Sequence, residues 1–516
     1  MHFDDLLKTL GEFGTFQKRQ YALICILSSL SVMGTLGIVF LGAQVDHHCK
    51  VPTHYIDWVT QAFGALHLER SNITTEPCPE GRIYSEEPFK STLVSEFDLS
   101  CENAWQLSTC KSVLFAGKLL GMLVSGVISD RKIVEDLKLL NYLHLVPGME
   151  FVGTSKRRMA GLIIGMVFGL GHALLALEAY FIRNWRHLAL VANSPAVIFA
   201  LFWVLPESVR WLLAQGRHDE AKAIITRVAV VNKVTLDPDV LDGFLLKGDQ
   251  EKRVTHTPVD LLKTLDRAKV TLNIALVCTK GLKQGPGQAE NDIVKFDSTH
   301  TAAGLYPPQG GEIVYTACFD HLYTCHMFVN AFVYYGLSFG TQALGGSFYL
   351  NFALMGLAEI PGQFLVLFVL DRIGRRKILF IFMAIGGLAC VFAVLIPNDM
   401  QWLTVTLALL GKMAISTTFA VIYMVTSEIY PTVIRHVSLS FHSSIGRLGG
   451  LLAPQILLLE TVYKPLPFIV IGLCSVTAGG LAMLLPETLG KPLSQTMAAF
   501  DTVINGRTTT VQNQEG

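Results

Sequence analysis

One stretch of 23 residues, 21–43, contains no charged side chain, and this feature constrains the fold more than any other. A helix of that length crosses the roughly 30 Å hydrocarbon core of a bilayer. Similar apolar stretches recur along the chain, which is 51% hydrophobic and 16% charged over 516 residues. They predict further membrane spans near 107–129, 159–181, 187–205, 322–340, 347–369, 378–396, 401–425, 437–459 and 465–485. The sequence therefore predicts an all-α polytopic membrane protein with about 10 transmembrane helices.

Net charge and cysteine spacing argue against several other classes of protein. The formal net charge is zero and the chain has no RNA- or DNA-binding motif, so we expect no nucleic-acid partner. The ten cysteines include no Cys-x-x-Cys pair, and we expect no metal and no cofactor. Asp-His-His-Cys at 46–49 spells the signature of protein palmitoyltransferases, but the zinc ligands that surround it in those enzymes are missing. With no nucleophile–base constellation, we expect no enzyme activity.

Charges around the first span predict its orientation. Lys18 and Arg19 precede the span, so the positive-inside rule places the N-terminus in the cytoplasm. An even number of spans returns the C-terminus to the same side. Residues 44–106 then form a loop on the outer side, with a glycosylation sequon at Asn72. We expect one disulfide in this loop among Cys49, Cys78 and Cys101.

Charged motifs bracket two apolar spans in the second part of the chain. Leu-Asp-Arg-Ile-Gly-Arg-Arg-Lys occupies 370–377, and Ser-Glu-Ile-Tyr-Pro-Thr-Val-Ile-Arg occupies 427–435. An earlier part of the chain repeats these landmarks, and such internal similarity is typical of transporters built from two parallel halves. The matching landmarks are Asp130-Arg131 with Asp371-Arg372, Glu150 and Arg157 with Glu428 and Arg435, and Pro206-Glu207 with Pro486-Glu487.

The first copy of this pattern is shorter than the second. Between the Asp and Glu landmarks the second copy spans 57 residues (371 to 428), whereas the first spans 20 (130 to 150). The difference is close to two transmembrane helices of about 20 residues each. We therefore expect four spans in the first half and six in the second, with residues 132–149 at the cytoplasmic surface. Loss of an even number leaves the remaining topology unchanged.

In combination, these motifs resemble the organic cation, anion and zwitterion transporters of the major facilitator superfamily. The resemblance covers most of the chain and implies a two-half helical bundle in the plasma membrane. It also implies a glycosylated loop after the first helix and alternating access around a cavity lined by helices 1, 4, 7 and 10. The motifs are Phe-Asp at 3–4, Ser-Glu-Phe-Asp-Leu-Ser-Cys at 95–101, Pro-Glu-Ser-Val-Arg-Trp at 206–211, Tyr-Tyr-Gly-Leu at 334–337, and the segments 371–376 and 428–435.

The chain departs from the twelve-helix family pattern in two places. Helices 3 and 4 are missing, together with the Gly-Arg-Arg expected after Asp130-Arg131. Helix 7 looks divided into 271–278 and 328–337 by a Gly/Pro-rich insert. The expected units are 1–213 (first half: helices 1, 2, 5, 6 and the loop 44–106), 214–321 (cytoplasmic loop and insert), 322–500 (six-helix second half) and 501–516 (disordered tail).

Ionisable groups inside the spans are the first candidates for substrate binding, because burying a charge in a bilayer is costly. Arg447 lies in the middle of helix 11. Family members that carry anions or zwitterions resemble this chain in having Arg there, whereas cation transporters tend to have Asp. A guanidinium binds a carboxylate bidentately, and a structural ion pair is the alternative role. Lys118 lies in the middle of helix 2, where pairing with Glu359 is the alternative. His172 could titrate near neutral pH, although a buried histidine with satisfied hydrogen bonds is the more common role.

Helices 7 and 10 carry the remaining candidates. Asn330 and Tyr334 are one turn apart on helix 7 and could donate hydrogen bonds to a substrate, whereas Tyr335 is expected to pack elsewhere. Helix packing is the alternative role for the aromatic residues of helix 10. The residues of helix 10 that share the face expected to line the cavity are Lys412, Ser416, Phe419 and Tyr423.

The charged motifs predict a network at the cytoplasmic ends of the helices. In the resembling family such a network holds the outward-open state and breaks as the halves rock. We expect Asp371 to pair with Arg375 and Arg376, and Glu428 to pair with Arg435. The expected members are Asp130, Arg131, Glu150, Arg157, Asp371, Arg375, Arg376, Glu428 and Arg435.

The sequence thus predicts transmembrane transport of small organic ions, with the lipid bilayer and the solute as partners. Positive candidate residues favour organic anions or zwitterions, such as carnitine-like solutes, over cations. A coupling ion is not identified by any motif. The alternative is a transport-inactive splice isoform or a faulty gene model that acts, if at all, through protein association, because loss of two helices would remove a wall of the cavity.

Overall fold

The protein is helical throughout its described part, apart from one two-stranded sheet. The computed structural model describes residues 3–50, 78, 81–129, 154–194, 209–214, 217–235, 310–429, 435–485 and 487–489. The helices of the first half are α1 (Phe3–Leu10), α2 (Thr15–Leu36), α3 (Ile38–Leu41), α4 (Leu93–Phe97), α5 (Ala104–Ser129), α6 (Thr154–Phe181), α7 (Trp185–Asn193), α8 (Val209–Ala214) and α9 (His218–Asn232). Those of the second half are α10 (Gly310–Phe339), α11 (Phe348–Leu357), α12 (Glu359–Ile373), α13 (Arg375–Val394), α14 (Gln401–Ile429), α15 (Arg435–Leu457) and α16 (Leu466–Ala482).

The long apolar helices lie where the sequence predicts membrane spans. Helices α5, α10 and α15 are 26, 30 and 23 residues long, and α16 is a shorter apolar helix. Of the predicted span 187–205, only the beginning is described, as part of α7. The described helices are consistent with about ten spans. Judged by length and composition alone, the described stretches that could cross a membrane are Thr15–Leu41, Met159–Phe181, Phe348–Ile373, Arg375–Val394 and Gln401–Thr426.

The part of helix 7 that the structure describes is one continuous helix. α10 runs from Gly310 to Phe339 and therefore begins before the predicted span 322–340. Residues that the sequence assigned to the insert therefore form the first turns of this helix. The other expected piece, 271–278, lies outside the described residues.

A short break at Ala358 separates α11 from α12. Pro361 has no N–H to donate to the carbonyl of Leu357, four residues earlier, and a missing bond in the helical ladder bends a helix at that point. The first helix accordingly ends at Leu357 and the second begins at Glu359. The break therefore lies beside Glu359, a buried carboxylate that belongs to the site described below.

The two halves are in close contact where α6 crosses α11. A methyl group built on Gly169 would lie 2.6 Å from the carbonyl oxygen of Gly356, and one built on Gly356 would lie 2.6 Å from the carbonyl oxygen of Gly169. The absence of side chains at both positions lets the two backbones touch, as small residues do between membrane helices. Three residues further along each helix, His172 and Glu359 are thereby brought together.

The halves also meet at the end of the bundle that carries the sheet, which we call the hairpin end. Gln44 N–H donates to Gln342 Oε1 at 3.1 Å, and Gln342 Nε2 donates back to the Gln44 carbonyl at 2.8 Å. The ring of Phe40 packs 5.0 Å from that of Phe348 and 4.8 Å from that of Phe352. These contacts between α3 and the helices of the second half hold the two halves together at this end.

A disulfide-linked hairpin covers that end. Strand β1 (His47–Cys49) pairs antiparallel with β2 (Arg82–Tyr84), and Cys49 is joined to Cys78. Cys101, the third candidate, is free and exposed. The cysteine of the Asp-His-His-Cys motif is thus half of a disulfide. Hydrogen bonds from Tyr84 and Arg82 hold the pKa of the Asp98 carboxyl, in the same loop, below its usual value.

A small separate core forms where α1, α8 and α9 meet. Leu6 and Leu10 of α1 pack with Leu212 of α8 and Ile225 of α9, all of them buried. The Asn232 side chain donates to the Leu10 carbonyl at 2.8 Å and ties the end of α9 to the N-terminus. Helix α9, which the sequence placed in the 214–321 loop, therefore packs with the first half.

Several predicted features fall outside the described residues: 132–149, Asn72, Asp130, Arg131 and Glu150. Arg157 and Arg435 lie within α6 and α15, and their side chains also fall outside the described part.

Candidate functional site

A buried ion pair joins α12 to α14. Glu359 and Lys412 are 2% and 0% exposed, and Lys412 Nζ lies 3.4 Å from Glu359 Oε1. The Tyr334 hydroxyl donates to the same oxygen at 2.8 Å, and the Ser416 hydroxyl donates to Oε2 at 3.0 Å. Lys412 also donates to Ser338 Oγ at 2.6 Å and lies over the ring of Tyr334. These five residues, the ion-pair network, satisfy both charges, as a buried pair requires.

The first half of the bundle contributes a histidine to this network. His172 of α6 is fully buried, and its Nε2 lies 3.9 Å from Glu359 Oε1 and 3.5 Å from the Tyr334 hydroxyl. Its Nδ1 lies 3.2 Å from the carbonyl oxygen of Phe168. The ring of Phe352 packs against it at 5.5 Å. One imidazole therefore connects the two halves at the position of the buried charges.

A second polar group lies between α5 and α15. Lys118 and Arg447 are close enough for their positive charges to interact. Lys118 Nζ donates to Thr35 Oγ1 of α2 at 2.7 Å. Arg447 donates to the carbonyl and the hydroxyl of Ser443, one turn earlier, at 2.9 and 2.8 Å. Within the described part of the chain, neither cation has a carboxylate partner.

Lys111 extends this positive region along α5. It lies two turns before Lys118 and so on the same face of the helix. Its Nζ is 5.7 Å from the centre of the Phe339 ring. The seven-residue spacing from Lys118 was a signal in the sequence that could have identified it. We call Lys118 and Arg447 the cation cluster.

Tyr335 lies within electrostatic reach of both groups. Its hydroxyl interacts with the charge of Arg447 and with that of Glu359. Its ring packs at 4.6 Å from Phe115 of α5. On α14, the stacked rings of Phe419 and Tyr423 continue the aromatic surface, as their spacing predicted. Aromatic side chains thus occupy the space between the cation cluster and the ion-pair network.

The two adjacent tyrosines of α10 make contacts that were not expected from the sequence. Tyr334 is 5% exposed and its hydroxyl is bonded to Glu359, so it belongs to the ion-pair network. Tyr335, expected to pack away from the site, is less buried and lies beside Arg447. Consecutive residues point about 100° apart around a helix, and only the packing of α10 decides which one meets the other helices.

The remaining site residues that the sequence singled out have the following partners in the structure. Glu359 pairs with Lys412 rather than with Lys118. Asn330 is fully buried and accepts a hydrogen bond from Thr418, and its Nδ2 has no partner in the described part of the chain. The Tyr423 hydroxyl lies 3.1 Å from Ser443 Oγ, which also contacts Arg447.

At the end of the bundle opposite the hairpin, Arg375 connects three segments. Its guanidinium bonds Glu428 at 3.2 and 3.1 Å and lies 3.4 Å from Asp371 Oδ1. The described partners of Glu428 are therefore Arg375 and Thr488, which donates its hydroxyl proton to it. The contribution of Thr488 was not anticipated from the sequence.

Glu487 holds the first turn of α13. Its carboxylate accepts from the backbone N–H groups of Arg375 at 2.9 Å and Arg376 at 3.2 Å. An anion is favourable there because the N-terminal N–H groups of a helix are unpaired and carry partial positive charge. Glu487, which the sequence marked only as part of a repeated Pro-Glu pair, thus caps α13. This helix begins within the charged motif at 370–377.

The sequence matches the family described as sugar (and other) transporter over residues 158–282 and 312–500, which is more than half of the chain. The chain belongs to this family. It is therefore a multi-pass membrane protein with the major facilitator fold, and it transports small solutes. Its relatives are transporters rather than enzymes, as the sequence predicted.

The most informative relatives cover nearly the whole chain. The organic cation transporter protein of Drosophila melanogaster is 32% identical over 565 aligned positions, which cover 96% of this chain and 94% of the relative. Solute carrier family 22 member 2 of Homo sapiens is 28% identical, with 96% and 94% covered. The inward open xylose transporter XylE from E. coli has a TM-score of 0.48 at 15% identity, covering 91% of this chain and 97% of that one.

Two features of these matches bear on the predicted departures from the family. The family match is interrupted between 282 and 312, inside the segment interpreted as an insert, and it resumes close to the start of α10. The alignment with the Drosophila protein has 565 positions, more than the 516 residues of this chain. That relative therefore contains residues that this chain lacks.

Proposed function

We propose that this protein carries small organic anions, or zwitterions that have a carboxylate, across the plasma membrane by alternating access, with both termini in the cytoplasm. The observation that carries the proposal is the cation cluster. Lys118 and Arg447 approach each other from the two halves, and neither is neutralised by a carboxylate in the described part of the chain. Two unneutralised cations in a bilayer are costly unless an anion binds between them.

The location of the cluster between the halves supports alternating access. Lys118 belongs to α5 of the first half and Arg447 to α15 of the second, and these two helices pack together. An anion held by both residues would bridge the halves. Rocking of one half against the other would then expose the anion first to one side of the membrane and then to the other.

The charge balance favours anions over cations, although the relatives are named for organic cations. The only carboxylate of the described central site, Glu359, is already paired with Lys412 and accepts two hydroxyl donors. A cationic solute would therefore compete with a buried lysine for this carboxylate and would meet the cation cluster. A carboxylate solute meets no such opposition.

Uptake by cells that express the chain would test the charge preference. Three labelled probes represent the three classes: hippurate (anion), carnitine (zwitterion) and tetraethylammonium (cation). We expect saturable uptake of hippurate or carnitine and none of tetraethylammonium. Replacement of Arg447 by Gln removes a charge-assisted interaction of about 2–3 kcal/mol, so kcat/KM should fall about 30- to 150-fold. Arg372→Gln, at an exposed arginine, is the matched control, and equal loss in both variants would contradict the proposal.

A transport-inactive isoform is the second candidate, and a specific observation favours it. The family match begins only at residue 158, and the 565-position alignment requires segments that this chain lacks. Surface biotinylation in the same cells separates the candidates. Chain at the surface with saturable uptake supports transport, whereas intracellular retention without uptake of any probe supports the inactive isoform.

A further inference from the structure

The histidine that joins the halves has one nitrogen without a proton donor. A carbonyl oxygen only accepts, so the 3.2 Å contact of Nδ1 with Phe168 puts the hydrogen of neutral His172 on Nδ1. The lone pair of Nε2 then faces Glu359 Oε1 at 3.9 Å. The Tyr334 hydroxyl, 3.5 Å away, directs its proton to Glu359 at 2.8 Å instead.

Of the described polar groups that face this nitrogen, the Glu359 carboxylate is an acceptor, whereas the Tyr334 hydroxyl and the Lys412 ammonium donate to other atoms. The Glu359 carboxylate belongs to α12, the Tyr334 hydroxyl to α10 and the Lys412 ammonium to α14. The charge of Lys412 also interacts with the imidazole. On its remaining side the ring meets the apolar Phe352 of α11. A single proton added at Nε2 would turn two facing acceptors into an N–H donor and a carboxylate acceptor.

We propose that His172 and Glu359 bind one proton between them, and that this proton crosses the membrane together with the anionic substrate. The inference rests on the proposed function, which it deepens by naming the coupling ion. Hydronium on one side transfers H⁺ to Nε2 and leaves water; an N–H bond forms and no electrons are exchanged. On the other side the N–H bond breaks and the proton returns to water.

The charge count explains why the two ligands travel together. Glu359 and Lys412 cancel, so the ion-pair network is neutral before the proton binds and positive afterwards. An anion in the cation cluster reduces the positive charge there by one. The empty and the doubly loaded protein therefore carry the same net charge, whereas either singly loaded form differs by one buried charge, which a bilayer penalises. Tyr335, in reach of both Arg447 and Glu359, connects the two sites.

The position of His172 explains how the proton is released. The imidazole belongs to α6 of the first half, whereas Glu359 belongs to α12 of the second. Movement of one half against the other separates Nε2 from the carboxylate that stabilises the added proton. In the structure described here the site is closed, because both side chains are buried.

Purified full-length protein in lipid vesicles provides the test. With an outside pH of about 5.5 and an inside pH of about 7.5, hippurate stays ionised on both sides, and a gradient of about two pH units is available to drive its uptake. With the membrane potential clamped by potassium and valinomycin, one proton per anion predicts accumulation of about tenfold per pH unit, hence about a hundredfold. We expect hippurate exchange without net accumulation in His172→Gln and in Glu359→Gln combined with Lys412→Met, which removes both charges of the pair. His326→Gln, at another buried histidine, is the matched control and should accumulate hippurate normally.

The outcomes separate this inference from the proposed function. Hippurate that enters wild-type vesicles but equilibrates equally with and without the pH gradient overturns the proton site and leaves anion transport standing. Gradient-driven accumulation that persists in His172→Gln, or that is lost in His326→Gln, also overturns it. If wild-type vesicles take up neither hippurate nor carnitine, the proposed function fails and the coupling fails with it.

Discussion

Removal of the Arg375 guanidinium should destabilise the second half of the protein. This side chain is 8% exposed, and it bonds Glu428 through two nitrogens at 3.2 and 3.1 Å. Without it, a carboxylate that is 19% exposed keeps, among its partners in the described residues, the hydroxyl of Thr488. Breaking a buried pair by removing one partner costs about 3–5 kcal/mol. Because Glu428 is partly solvated, we take the lower end, about 3 kcal/mol.

Thermal unfolding in detergent measures this loss. A change of 1 kcal/mol shifts the midpoint of a 150–250-residue unit by about 2–4 °C, so Arg375→Met should lower it by about 6–12 °C. Fluorescence-detected size-exclusion chromatography after heating reports the fraction that remains folded. Arg372→Met is the matched control, because Arg372 is exposed and has no ion pair in the described part of the chain. We expect its midpoint within about 1 °C of wild type.

A double variant isolates the pairwise interaction. Arg375→Met combined with Glu428→Gln removes both charges of the buried pair, so it should recover part of the stability lost in Arg375→Met alone. Equal midpoints for Arg375→Met and Arg372→Met would refute the assignment of Arg375 as the residue that joins α12, α13 and α14.

Three further predictions concern the interface between the halves, the hairpin and the tyrosines. Gly169→Ala places a methyl group 2.6 Å from a backbone oxygen, so hippurate transport should fall at least tenfold while surface expression is kept, as biotinylation would show. In cells that express the Cys110→Ser variant, which removes the other exposed free cysteine of the described residues, maleimide should modify Cys101, and adding Cys101→Ser should abolish that labelling; strong labelling that remains in the double variant would contradict the Cys49 disulfide. Tyr334→Phe removes a hydrogen bond to a buried carboxylate and should lower the thermal midpoint by about 3–10 °C, whereas Tyr335→Phe should leave it unchanged and raise the hippurate KM.

The positions of the membrane helices could be read directly from the sequence. A bilayer forces each span to be an apolar helix of nearly constant length, so a local pattern is sufficient. The predicted span 107–129 is α5, Ala104–Ser129, and the predicted span 159–181 lies inside α6, Thr154–Phe181. Helix 7 is the exception, because its first turns come from residues whose composition resembles a loop.

The partners of the charged residues could not be read in the same way. Spacing along α14 put Lys412 on one face, but the identity of the helix opposite that face depends on how α12 and α14 pack. The pairing of Lys412 with Glu359, and the approach of His172 from the other half, require contacts between residues far apart in the chain. The Cys49–Cys78 disulfide is a further example, since three cysteines in one loop permit several pairings.

The sequence by itself determined that this protein is a helical membrane transporter, because hydrophobic length and charged motifs are local properties of the chain. Only the tertiary structure decided which of two adjacent tyrosines faces Glu359 and which faces Arg447, and that Lys412 is neutralised while Lys118 has no carboxylate beside it in the described residues. The physical reason is that a helix presents every side chain at a direction set by its rotation, and packing against other helices fixes that rotation.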